Sequence, residues 1–199
     1  MRIQRVHALF AGFTQKWESG YNGLSWAEYR IWEKFHTSPG TLINYFPWYI
    51  PSRDYCGMIE KYGRVPGNGD TTPFIHLTGY SFGGQSAVNC CLRFFEMGIP
   101  VQRLILIDPI RRNSTYPWGW LSAINRFRSF QIPTNVERVD WFWQSNNWPR
   151  SHVVKAIDCK KTSIVEHPLL KRKHANIDNA PEVFEEIINS AMYIQGLSV

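Results

Sequence analysis

The chain has 199 residues, enough for one domain with a sizeable core, and 44% of them are hydrophobic. An aromatic share of 15% excludes a disordered chain. The net charge is +6, but apart from Lys171-Arg172-Lys173 the basic residues are scattered and no nucleic-acid-binding motif accompanies them, so no nucleic-acid partner is expected. No apolar run reaches the roughly 18 residues of a membrane span. Arg2 and Arg5 precede the short run Val6 to Phe13, which carries His7 and lacks a small-residue cleavage site, so it does not read as a signal peptide and a cytoplasmic location is expected. Cys90 and Cys91 are adjacent, Cys56 and Cys159 stand far apart, and no pair has metal-ligand spacing. All four read as reduced and mostly buried, with no metal site.

In chain order, Val6 to Phe13 reads as a buried strand that breaks at Gly12. Trp26, Tyr29, Ile31, Trp32 and Phe35 fall at helical spacing, with Ser25 as N-cap, and Pro39-Gly40 ends the unit. Thr41 to Tyr49 is a second strand, shortened by Pro47, and Arg53 to Tyr62 suits a short helix before the Gly67-Asn68-Gly69-Asp70 loop. A strand from Phe74 to Thr78 runs into Gly79-Tyr80-Ser81-Phe82-Gly83, and a helix from Phe82 to Met97 follows, with Gly98 and Pro100 closing it. Val101 to Ile107 is an unbroken apolar strand that Asp108-Pro109 stops. Ile110 to Pro133 is aromatic and irregular, with one short helix around Trp120 to Phe127. Val136 to Trp143 and Thr162 to Val165 are strands, and Pro181 to Ile194 is a closing amphipathic helix. Strands alternating with helices predict an α/β domain, a mostly parallel sheet with helices on both faces.

The Gly-Tyr-Ser-Phe-Gly pentapeptide carries the chemistry. A bare G-x-S-x-G arises by chance in roughly one chain in fifteen of this length. Its setting, a strand before and a helix behind, is that of a nucleophile elbow, where a tight turn pushes a serine hydroxyl into the open. A Cβ at position 79 or 83 would collide with the adjoining strand and helix. A serine hydroxyl is a poor nucleophile at neutral pH, so Ser81 needs a base within hydrogen-bond reach and a third group to orient that base. It also needs backbone donors for an oxyanion.

On the elbow, the early strand ending in Ala11-Gly12-Phe13, and the order Ser, Asp, His, the chain resembles the α/β-hydrolase superfamily, especially its lipases and esterases. The resemblance implies a small single-domain α/β-hydrolase fold over residues 1–199. Of the six histidines, His174 stands in the loop ahead of the last helix, where the superfamily places its base, and Ile177 follows as an apolar residue often does there. His167 and His152 are the alternatives, while His7 and His76 lie inside strands, where a packed histidine is expected. The superfamily's usual acid position points to Asp140, which falls in mid-strand. Pancreatic-type lipases are similar to the Asp108-Pro109 setting, and Asp108 is preferred. The oxyanion donors implied are the N–H groups of Phe82 and Phe13.

Trp118, Trp120, Phe127 and Phe130 fall within residues 110–133, which read either as a short cap or lid or as aromatics completing the core. The resemblance implies a serine hydrolase cleaving a small-molecule carboxylic ester through an acyl-enzyme, with no metal or organic cofactor. A thioesterase, amidase or acyltransferase would use the same triad, and a non-catalytic hydrolase-fold binding protein is the remaining alternative.

Overall fold

Leu104, Ile105, Leu106 and Ile107 are consecutive and all fully buried, which a strand achieves only when both faces of its sheet are covered. The computed structural model describes residues 5–13, 23–37, 40–47, 57, 73–111 and 129–192. Its elements are β1 (Arg5–Phe10), α1 (Gly23–Phe35), β2 (Thr41–Phe46), β3 (Phe74–Tyr80), α2 (Gly83–Glu96) and β4 (Val101–Ile107). They continue with β5 (Ser129–Ile132), β6 (Val136–Trp143), β7 (Val153–Ala156), β8 (Ser163–Pro168), a 3-10 helix (His174–Asn179) and α3 (Pro181–Met192). Apart from Gly57, which is helical, the expected helix at 53–62, the Gly67 to Asp70 loop and the aromatic segment 112–128 lie outside the described residues.

Six strands form one sheet in the order β2-β1-β3-β4-β6-β8, every pair parallel. Side chains alternate between two cores. Ala8, Phe10, Leu77, Leu104, Leu106, Val139 and Trp141 point to one face and pack with Ala87, Cys90, Cys91 and Phe94 of α2. Leu9, Tyr80, Ile105, Ile107 and Phe142 point to the other and meet Leu24, Ala27 and Ile31 of α1 and Val183 and Ile187 of α3. Each such Leu, Ile or Phe removed from water contributes about 1.5–3 kcal/mol, which is what drives the three layers together.

Strand order matters for the site. The chain leaves β1 outward to β2 and then returns to β3 on the opposite side of β1. This reversal is a topological switch point, and the crevice it opens lies beyond the C-terminal ends of β1 and β3. Those ends carry Gly12 and Ser81.

Some expectations shift in detail. The second strand ends at Phe46 rather than Tyr49, and α1 begins at Gly23 rather than after Ser25. Cys90 and Cys91 are buried, but Cys159 is exposed. Phe130 lies in β5, which pairs in parallel with β7 as a separate ribbon. Phe130, Ile132 and Val154 of the ribbon join the α2-side core. At four residues each, these strands are too short to carry a periodic signal.

His7 and His76 are opposite each other in β1 and β3 and are 1% and 2% exposed. Ser190 donates to the Ile187 carbonyl and so accepts from His76 Nε2, leaving His76 Nδ1 to accept from His7 Nδ1 at 3.1 Å. Burial, reinforced by Arg5, lowers the His7 pKa to about 3, and burial with His7 and Arg103 lowers that of His76 well below its ordinary value. The unfolded chain, with histidines near 6.5, therefore binds more protons than the folded one below that pH. Stability should be independent of this pair above about pH 6.5 and fall below it, with a slope approaching roughly 1.4 kcal/mol per pH unit for each histidine. Thermal melts from pH 7 to pH 4 check this: His7→Leu should flatten the decline, and identical profiles for variant and wild type would contradict it.

Candidate active site

β3 delivers Ser81 to the open end of the sheet. Its N–H donates to the Ile107 carbonyl at 2.9 Å, continuing the β3–β4 pairing for one residue, and the chain then folds back into α2. Ser81 sits at φ 53°, in the left-handed region that a non-glycine residue seldom adopts. Its carbonyl accepts from the Gly84 and Ile110 N–H groups at 3.1 and 2.9 Å, which holds that strained turn in place. A Cβ on Gly83 would overlap the Phe10 carbonyl, and one on Gly12 would lie 2.6 Å from the Tyr80 ring and 3.1 Å from the Ser81 Cβ. Bare backbone at these two positions is what lets the ends of β1 and β3 approach.

Asp108 follows β4. Its N–H donates to the Phe142 carbonyl at 2.7 Å, and it turns at φ 43°. Among the described residues, Ser81 and Asp108 are the only non-glycine residues with positive φ. Strain of this kind, of order 1–3 kcal/mol per residue, persists where surrounding structure imposes it and clusters at functional sites.

His174 opens the 3-10 helix ahead of α3. Its Nδ1 lies 2.5 Å from Asp108 Oδ2 and its Nε2 lies 2.9 Å from Ser81 Oγ. A carboxylate only accepts, so Nδ1 carries the proton, and Nε2 accepts from the serine hydroxyl. Asp108 is fully buried, Ser81 is 5% exposed and the His174 side chain 12%. Ile177 anchors this turn in the core it shares with Leu24 of α1. Tyr80 stacks on the His174 ring, with centroids 5.4 Å apart, and its hydroxyl donates to the His174 carbonyl at 2.5 Å. Burial first, then the Asp178 and Asp108 carboxylates, push the Tyr80 phenol above its ordinary pKa, so it stays a donor.

The other histidines are engaged elsewhere. His152 is buried and accepts from the Arg111 N–H at 3.0 Å, and His36 caps the end of α1 through the Trp32 and Glu33 carbonyls. His167 stacks on Phe142 and lies 3.1 Å from Asp140. Asp140 is fully buried in mid-strand, 2.6 Å from Arg103 Nε and 3.0 Å from Arg138 Nη2, and no contact joins it to His174. Phe13 is 53% exposed just past Gly12, and its ring meets that of Phe82 edge-on at 5.9 Å. Phe82 packs with Ile110 beside the elbow. Phe82 also stands at the N-terminus of α2, whose partial positive charge faces the turn. Tyr80, Gln144 and Asn147 contact His174 or Asp108 without having been anticipated; nothing in their spacing marks them, because their contacts form only in the folded chain.

Among the described residues no group of three or more His, Cys, Asp or Glu side chains could hold a metal ion, and no helix is long and apolar enough to cross a membrane.

A parallel sheet with helices on both faces, a strand-turn-helix elbow at its switch point and a histidine loop before the last helix together make an α/β-hydrolase fold. No protein-family model matches the chain, and no curated protein matches its sequence. Among solved structures, the chain is similar to the thioesterase RedJ of the prodiginine pathway of Streptomyces coelicolor. The TM-score is 0.53 at 10% identity, over 95% of this chain and 85% of that one. It is also similar to the NocB thioesterase domain of the nocardicin cluster, with TM-score 0.49 and 14% identity over 96% and 95% of the two chains. A mutant of the esterase E40 gives 0.47 and 12% over 96% and 75%. The likeness to RedJ supports the fold assignment.

The packing of the elbow yields a direct expectation. Gly83→Ala drives a methyl group into the Phe10 carbonyl and should destabilise the protein by about 3 kcal/mol or more. A melting temperature within a degree or two of wild type would contradict the geometry described.

Proposed function

We propose that the protein is a serine hydrolase that releases acyl groups through a covalent acyl-enzyme, with thioesters as its main substrates. The carrying observation is the pair of contacts at His174, 2.5 Å to Asp108 and 2.9 Å to Ser81. Ser81 Oγ attacks the acyl carbon while His174 Nε2 takes its proton. The tetrahedral oxyanion is stabilised by the Phe82 and Phe13 N–H groups and by the N-terminus of α2. Collapse expels the thiol, which leaves with the proton from His174, and Ser81 holds the acyl group as an ester. Water then attacks, His174 again moves the proton, and the free acid departs.

Asp108 suits the acid role on electrostatic grounds. The charge of Asp140 is already met by Arg103 and Arg138. Asp108 has neutral donors from Gln144 beside His174, so its charge remains to stabilise the imidazolium that forms during attack. The exposed Phe13 ring, set edge-on to Phe82 beside Ser81, favours an apolar acyl group over a charged one. Thioesters are placed ahead of the carboxylic esters expected from the sequence because RedJ, whose fold this chain shares, is a thioesterase. The same triad also hydrolyses oxygen esters, and the pocket decides the preference.

Turnover of acyl-N-acetylcysteamine thioesters and p-nitrophenyl esters tests this reading. Ser81→Ala should abolish both activities, and Asp108→Asn should lower kcat by about 10³-fold or more. Asp140→Asn should instead lower stability by roughly 2–4 kcal/mol, through loss of a buried ion-pair centre, while the folded enzyme keeps its rate. Loss of rate in Asp140→Asn with full rate in Asp108→Asn would reverse the assignment of the acid. Failure of the folded wild type on both substrate classes would remove the enzyme reading.

A further inference from the structure

The loop that follows β6 touches both Asp108 and His174. Gln144 is 1% exposed, and it engages both oxygens of the Asp108 carboxylate. Its backbone N–H donates to Oδ1 at 3.3 Å and its side-chain Nε2 donates to Oδ2 at 3.0 Å. The same Nε2 lies 3.2 Å from the Asn147 carbonyl and 2.9 Å from that of Pro149, while Oε1 accepts from the Asn147 N–H at 3.0 Å. Turning the amide end for end would set its oxygen against three acceptors, so these partners fix its orientation. Two Nε2 hydrogens serve three acceptors, which ties the hydrogen bond to Asp108 to the exact path of residues 147–149. Asn147 then closes the circuit: its Oδ1 accepts from the His174 N–H at 2.9 Å, on the residue whose carbonyl Tyr80 holds.

We propose that Gln144 and Asn147 are positioning residues that make the acid and the base one mechanical unit. Gln144 aims Asp108 Oδ2 at His174 Nδ1, and Asn147 fastens the His174 backbone to the loop that Gln144 itself organises. Oδ2 receives the His174 and Gln144 protons together while Oδ1 accepts from the Gln144 backbone N–H, so both carboxylate oxygens are held and the group cannot swing away from the imidazole. The role rests on the proposed Ser-His-Asp chemistry, because a clamp of this kind matters only if a proton moves between Ser81 and His174.

The test joins kinetics to a readout that needs no activity. The His174 Nδ1 proton, 2.5 Å from donor to acceptor, should give a strongly deshielded line in one-dimensional proton NMR. Gln144→Met, close in volume but with no donor, should erase that line and lower kcat about 100-fold while leaving KM within about twofold, because misplacement without lost substrate contact acts on the chemical step. Asn147→Ala should lower kcat about 10-fold, and Asn147→Asp, which keeps an acceptor for the His174 N–H, should recover most of that loss. If burial of unpaired groups prevents Gln144→Met from folding, the Asn147 pair carries the test alone. An unchanged line and unchanged kcat in folded Gln144→Met, or equal rates in Asn147→Ala and wild type, would overturn the proposal. A line present in wild type and lost in Gln144→Met, with no turnover of any acyl substrate by wild type, would support the positioning and overturn the hydrolase reading instead.

Discussion

Gly83 stands against the Phe10 carbonyl with no room for a Cβ, and that contact sets the distance between the two strand ends on which the site is built. Because α2 can start that close to β1, the turn at Ser81 is forced into the left-handed region and its side chain is pushed out of the sheet. Because Gly12 stands just past the end of β1, the Tyr80 ring fits over it and reaches the His174 turn. A bulkier residue at either glycine would part the strands, and Ser81, Tyr80 and His174 would lose their common reference. The switch in strand order places this junction where a parallel sheet leaves a crevice, so backbone packing and the location of the site have one cause.

The fold meets the charges of two fully buried aspartates in different ways. Asp140 lies inside β6 and binds together β4, β6 and β8 through Arg103, Arg138 and His167, with Arg103 also paired to Glu186 on α3. Removing a charge from water costs several kcal/mol, and there the cost is offset by opposite charges. Asp108 is equally buried but lies at a strand end, at positive φ, with an amide and an imidazole around it. Only the second arrangement joins a carboxylate to a histidine that also reaches Ser81.

Much of this was legible in the chain itself. The apolar run Leu104 to Ile107, the elbow between a strand and a helix, and the alternation of elements specify a parallel sheet covered on both faces. Ser81 could be read because its geometry requires small neighbours, and His174 because it precedes a clear amphipathic helix. Asp108 against Asp140 was harder: sequence places one at a strand end and one in mid-strand, but Asp140's long-range partners, Arg103 of β4 and His167 of β8, and the Glu186 of α3 that pairs with Arg103, are brought to it only by the fold. Gln144 and Asn147 carried no signal at all. An amide in a polar loop reads as a turn residue, and its partners lie 36 and 27 residues away. The β5–β7 ribbon was missed for a related reason, since its short strands are stabilised by the core they join rather than by their own pattern.

The central claim is that Ser81 is a nucleophile activated by His174. Intact-protein mass spectrometry after incubation with a fluorophosphonate tests it most directly. The account predicts a single phosphonyl adduct, mapped by peptide sequencing to Ser81 and absent from folded His174→Ala protein. A folded wild-type protein that takes up no adduct, or carries it on another residue, would contradict it.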